Sequence, residues 1–230
     1  MKKSFWIIIV LLILVIAATW YYQHYVVSTT VADNNAASST SIDGGPETSN
    51  GSQVFTSADG SITFNYPSLL TVGEKNNIIT LTHSIKYANK DACNMKGDAV
   101  TSPTLTDFNV TIQDIDQPIV ETIEQIDPTI ATSSFSGEDI TTSPGFIDSY
   151  SGAGYQGYAI TEGVEGCGYV TYYLPITTSE TLVVQKQMIG ALSSVSDPTT
   201  VAKILAIPGA ISPDQSTILF NNMMQTLQMQ

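Results

Sequence analysis

Two cysteines, two histidines and 21 carboxylates are the side chains from which this 230-residue chain could build chemistry. Cys93 and Cys167 are the only cysteines. Both follow a segment that directs the chain out of the cytoplasm, as argued below. An even count in that setting points to a disulfide. The bridge would close a loop of about 75 residues, which chain entropy values at roughly 4–4.5 kcal/mol. Glycines flank Cys167 in Glu165-Gly166-Cys167-Gly168, as a tight turn with close backbone approach requires. The sharper alternatives are a reactive thiol and a metal site. A nucleophilic thiol needs a base to form its thiolate, and His83 is the one histidine beyond the N-terminal segment. His83 falls in a predicted strand, where backbone bonding or exposure at a sheet end is expected. A zinc site needs more His and Cys ligands than the chain holds outside the cysteine pair.

The carboxylates offer two further options. Asp107, Asp114 and Asp116 flank one predicted strand, and Glu162 and Glu165 flank a Gly-rich turn. Either set could hold calcium through oxygen ligands, although neither has EF-hand spacing. Glu162 and Glu165 are also the nearest candidates for the carboxyl pair of an envelope hydrolase, whose two groups stand ~5–10 Å apart in a cleft. Solvated surface acids are the plain reading of both sets. Tyr150, Tyr155, Tyr158, Tyr169, Tyr172 and Tyr173 cluster in the middle strands. Tyr155, Tyr158 and Tyr169, with Glu162 and Glu165, form a candidate binding surface; cross-strand packing is the competing account. No catalytic residue, metal ligand or cofactor is assigned. Leu174-Pro175-Ile176-Thr177 matches a sortase signal, but it sits inside a predicted strand with no apolar helix and basic tail behind it. Asn50-Gly51-Ser52 and Asn109-Val110-Thr111 are glycosylation sequons, the second also in a strand.

The address of these residues comes from the N-terminus. Residues 5–22 carry no charge and are long enough to cross the hydrocarbon core as a helix. Trp20, Tyr21, Tyr22 and Tyr25 suit the headgroup level, and Lys2 and Lys3 keep the start cytoplasmic. The expected layout is a stub at 1–4, a transmembrane anchor in the lipid bilayer at 5–22, a linker at 23–52 and an extracytoplasmic domain at 53–230. A cleaved signal peptide is the alternative, with the poor cleavage sequence Val15-Ile16-Ala17. The linker is small and polar, and as a flexible coil residues 28–52 would span about 25–30 Å.

Charge narrows the partners. The net charge is −13; with Lys2 and Lys3 inside, six lysines face 21 carboxylates outside, a balance of −15 without a single arginine. Nucleic acid is therefore not an expected partner, since affinity for it comes from Lys and Arg on phosphates. Docking of the domain onto anionic lipid is disfavoured in the same way.

The elements that must position these residues are mostly strands. Alternation predicts strands at 54–56, 61–66, 77–84 and 106–115, with Ile79, Leu81 and His83 sharing one face and Phe108, Val110 and Ile112 another. Asp59-Gly60 marks a tight turn between the first two. Asp116-Gln117-Pro118 opens a short helix, capped by Asp116 and carrying Ile119, Ile123 and Ile126 on one face. Four strands follow at 146–151, 154–163, 168–176 and 181–188. Asp197-Pro198 and Ser212-Pro213-Asp214-Gln215 start two closing helices, the second with a capping box and an apolar stripe of Ile218, Leu219, Phe220, Met223, Met224 and Leu227. The expected class is α+β: a mainly antiparallel sheet covered by a few helices, preceded by one N-terminal transmembrane helix.

The opening hairpin ending in Tyr66-Pro67 and the closing helix over 212–228 resemble the layout of the PsbP/Mog1-type fold. That resemblance implies a largely non-enzymatic binding or assembly factor and transfers no functional residue. The functional expectation is a non-catalytic binding or assembly domain at the cell envelope, with an envelope protein or glycan as partner. The alternatives are a carboxylate-dependent envelope hydrolase and a calcium-stabilised structural domain.

Overall fold

The computed structural model describes residues 51–230, except 95, 97, 129, 131–134, 137 and 138. The expected anchor, stub, linker and signal cleavage sequence lie outside the described residues. Among the described residues, no helix is long and apolar enough to cross a membrane. Ser49–Gln230 forms one compact unit with its own core, as an independently folding domain does.

The class is α+β. A hairpin of β1 (Ser52–Thr56) and β2 (Ile62–Pro67) opens the domain. Its turn is tied by the Asp59 carboxylate, which accepts from Ser57 Oγ at 2.6 Å and from the Ser61 N–H at 2.9 Å. These bonds hold the Asp59 carboxyl down to about 2. β3 (Thr71–Lys75) and β4 (Ile78–Ile85) form a second hairpin, turning through Asn76 and Asn77 at φ 53° and 60°. A two-residue turn with both φ positive matches the twist of the strands it joins, and asparagine tolerates it better than most residues.

β5 (Asn89–Lys90) and β6 (Thr101–Ser102) pair briefly before β7 (Leu105–Ile115), a long inner strand. Helix α1 (Ile119–Ile126) follows. Its N-cap is Pro118 with no side-chain cap, so Asp116 does not cap it as expected. The Thr122 hydroxyl donates to the Pro118 carbonyl at 2.9 Å. The two-residue strands β8 (Phe135–Ser136) and β9 (Asp139–Ile140) lead to β10 (Ile147–Gly152), β11 (Tyr155–Val164), β12 (Cys167–Thr177) and β13 (Glu180–Met188). A 3-10 turn at Gly190–Leu192 leads to α2 (Pro198–Leu205) and α3 (Pro213–Thr226), and β14 (Gln228–Met229) closes the chain. Asp197 caps α2 through the Thr200 N–H, and the Ser212/Gln215 capping box forms on α3 as its sequence predicts.

Seven strands pair in the order β10-β11-β12-β13-β7-β4-β3, antiparallel throughout, and β2 pairs with both β1 and β14. The sheet has two different faces. One carries Ile79, Leu81, Phe108, Val110, Ile112, Leu174, Leu182 and Val184, all essentially buried against Phe220, Met223, Met224 and Leu227. Burying side chains of this size is worth about 1.5–3 kcal/mol each. Ile218 stands apart from the predicted stripe and is 58% exposed. The other face has an apolar cluster at its β10–β13 end, where Ile147, Ile160, Tyr173 and Val183 meet Ile123 of α1.

Candidate functional site

Strand alternation dictates what the rest of that second face carries. Leu182 and Val184 point into the core, so Gln185 and Gln187 of β13 point away from it. The same parity puts Thr80 and Thr82 of β4, Asn109, Thr111 and Gln113 of β7 and Thr171 of β12 on that side. These side chains make a platform of hydroxyls and amides with no Asp, Glu or Lys among them; Thr171 is fully buried beneath it, and Tyr169 beside Gln187 and Ile78 beside Gln113 lie at its edges. Asn109 Nδ2 donates to Gln187 Oε1 at 2.7 Å, and Gln185 Nε2 donates to Thr171 Oγ1 at 3.3 Å. Asn109 Oδ1 is shielded from solvent and accepts no hydrogen bond within the protein. Asn109 is thus a partly buried strand residue with its amide engaged, rather than an open glycosylation acceptor.

One end of the platform runs into a groove of about 490 Å³. Thr80, Thr82, Asn109 and Gln187 form its sheet side, and Asp91, Cys93, Val100 and Ser102 form its outer wall. That wall is held by the disulfide between Cys93 and Cys167, whose Cα atoms lie 5.4 Å apart. The pairing predicted from the cysteine count is present. Gly190 packs against it so closely that an added Cβ would stand 2.7 Å from Cys93 Sγ and 2.8 Å from Cys167 Sγ. The turn is further locked by Ser193 Oγ and Ser196 Oγ, both donating to the Gly190 carbonyl.

The remaining predicted residues fall in several places. Tyr155 lies on the helix-covered face of the sheet, where its hydroxyl donates to the Leu227 carbonyl at 3.3 Å and accepts from the Met229 N–H at 3.2 Å. Tyr158 packs with the α1 cluster on the opposite face. Tyr169 is 37% exposed and pairs with Glu162 across β11 and β12. Glu165 occupies the β11–β12 turn at φ 54° and is exposed. Leu174 of the sortase-like tetrapeptide is fully buried inside β12.

Glu162 meets Asp127, at the C-terminal end of α1, and not Glu165. Burial, then hydrogen bonding to Asp127 and its charge, push the Glu162 carboxyl up to about 7. The Tyr173 hydroxyl beside them is buried, and its pKa rises through burial and then through these two acids. Glu165, exposed in the β11–β12 turn, is not among the groups that shift Glu162. The pair of Glu162 with Asp127 does bear on stability. A carboxyl raised from 4.5 to about 7 on folding contributes fully below about 4.5 and loses that contribution as pH rises through about 7. Glu162→Gln keeps a donor toward Asp127 and removes the charge. It is expected to raise the melting temperature at pH 8 by ~2–4 °C, or about 1 kcal/mol after allowing for partial solvent access. At pH 4.5 the variant and parent should melt together. Equal melting at both pH values would show that the pair is not strained by charge.

Asp114 is pushed up to about 6 by burial, then by Glu180 and Asp116. Asp107 lies at the opposite end of β7, fully buried, and belongs to a different structure. It is the extra residue of a bulge where His83 pairs with Phe108 and Ser84 with Thr106. Its Oδ1 is 2.6 Å from His83 Nδ1, and its Oδ2 accepts from the Ile211 N–H at 2.8 Å. His83 is thus bonded to a carboxylate, a partner its strand position did not announce. Among the described residues, no group of three or more His, Cys, Asp or Glu side chains converges in a way that could hold a metal ion.

The sequence reasoning missed the hydroxyl–amide platform. Its signal was available in the alternation itself, since residues facing away from a buried apolar set are known once that set is known. No family model matches the chain, and no curated protein matches it either.

Proposed function

We propose that this domain is a non-catalytic binding module on the outer side of a membrane, held there by residues 5–22, and that its ligand is an uncharged glycan of the cell envelope. The observation that carries the reading is the half-exposed face of β4, β7 and β13, where threonine, asparagine and glutamine side chains stand together without a charge. Hydroxyl and amide groups on a rigid sheet exchange hydrogen bonds with a hydroxyl-rich ligand at little conformational cost. A domain with six lysines against 18 carboxylates and no arginine repels polyanions, which favours neutral polymers over phosphate-bearing ones. The disulfide-held wall gives the platform a closed end, as a site for one terminus or branch of a chain would have.

The test is binding of the purified domain, residues 49–230, to a panel of neutral and anionic envelope oligosaccharides. Saturable binding to neutral members, lost in Thr111→Arg, which places a long cation in the middle of the platform, is the expected result. No binding across the panel, or binding that Thr111→Arg leaves intact, would move the ligand off this face.

A further inference from the structure

A second cleft, of about 250 Å³, lies on the opposite side of β13, beneath the first turn of α3. Its walls are largely apolar, from Val170, Met188, Ile189 and Leu192, with Pro213 and Thr217 of the helix closing the top. Lys186 reaches into it. This lysine shares the parity of Leu182 and Val184, so alternation turns it toward the helix-covered face and away from open solvent. Its ammonium donates to Thr217 Oγ1 at 3.4 Å and stands 5.3 Å from the centre of the Phe220 ring.

We propose that this cleft binds a small monoanion with a short unbranched apolar tail, and that Lys186 holds the anionic head. Three observations support the assignment. Among the described residues, the only side-chain ion pair is His83 with Asp107, so no carboxylate lies within 4 Å of the Lys186 ammonium. Burial lowers the pKa of this lysine, which is the mark of a cation short of solvation that an anion would restore. Asp107 also borders the cleft, but both its oxygens are taken by His83 and Ile211.

Size and charge then limit the ligand. At the ~30 Å³ that a water occupies in the liquid, the cleft has room for about eight non-hydrogen atoms. One lysine in a strongly acidic domain neutralises one negative charge, so dianions are disfavoured. Aliphatic walls suit a hydrocarbon tail, and a 250 Å³ space is too small for a folded peptide segment.

The experiment is an NMR titration of the isotope-labelled domain, residues 49–230, with sodium hexanoate, 1-hexanol and hexylammonium chloride in turn. Hexanoate is expected to give saturable shifts at the amides of Met188, Ile189, Leu192 and Thr217, and to bind about tenfold tighter than hexanol, with hexylammonium weakest. Lys186→Met should bring hexanoate to the level of hexanol. Lys186→Gln serves the same purpose if the methionine variant does not fold. Equal affinity for acid and alcohol, retained hexanoate binding in either variant, or no saturable shift with hexanoate would each overturn the proposal. Thr111→Arg, on the other face of the sheet, should leave hexanoate binding unchanged, so this site and the glycan face fail or stand separately.

Discussion

Replacing Cys93 and Cys167 together by alanine should lower the stability of the domain by about 4 kcal/mol, the largest single effect expected here. The bridge spans 74 residues in sequence, and the chain-entropy relation for a loop of that length gives about 4.4 kcal/mol. In a domain of this size that corresponds to a fall in melting temperature of ~8–16 °C. The bonded pair also has a local task. Cys93 lies in the stretch between β4 and β7, whose strands among the described residues are the two-residue β5 and β6. Cys167 begins β12, in the middle of the main sheet. Cutting the bridge therefore releases the outer wall of the groove while the seven-stranded sheet keeps its pairing. Thermal melts in the presence and absence of reductant would check this, with glycan binding measured alongside. The oxidised parent should show the full difference and the alanine variant none. A loss below about 1 kcal/mol would mean that packing alone holds the segment. Gly190→Ala gives an independent check, because its added methyl would collide with both sulfurs of an intact bridge.

The second large effect is expected at Asp107. Asp107→Ala removes a fully buried carboxylate that serves two donors, the His83 ring and the Ile211 N–H. The Ile211 amide is then left without a partner in the core. Losing one member of a buried hydrogen-bonded charged set costs about 3 kcal/mol, most of it the penalty on the groups left behind. Asp107→Asn should cost about half as much, since an amide oxygen can still accept from Ile211. The two effects can be separated by combining each change with His83→Ala in a double-mutant cycle read by urea unfolding. Strong coupling between positions 83 and 107 is the expected outcome. Additive losses would show that the Ile211 bond alone matters.

What the sequence made legible follows from where its pattern was strong. The alternating runs of β4 and β7 gave both the strands and the buried set, because one-sided burial leaves a period of two. Ser212 and Asp197 marked their helices because capping is a local event. Strand β3, Thr71–Lys75, was not expected, since Gly73, Glu74 and Lys75 leave little apolar pattern to read. Its signal was the Asn76-Asn77 turn instead. The bulge at Asp107 could not be read either. It puts Asp107 and Phe108 in succession into the interior, and an alternation rule has no place for two consecutive buried residues. The meeting of Glu162 with Asp127 depends on how α1 lies over the sheet, which no local spacing encodes. Lys186, by contrast, was available from parity alone. A lysine two residues beyond Val184 and four beyond Leu182 is turned toward the core side of its strand.

The order β1-β2-β14 has a mechanical consequence. Tension on the chain ahead of Ser52 enters the domain through β1, an edge strand whose residues are mostly exposed. β1 is held by its ladder to β2 and by the stacking of Phe55 on Phe64, at 5.1 Å between ring centres. β2 is far better secured, with Ile62 and Phe64 in the core and β14 along its other edge, itself pinned by the Tyr155 hydroxyl. Under load β1 should therefore peel first. Its five residues would add about 17 Å of extensible chain before any force reached the seven-stranded sheet.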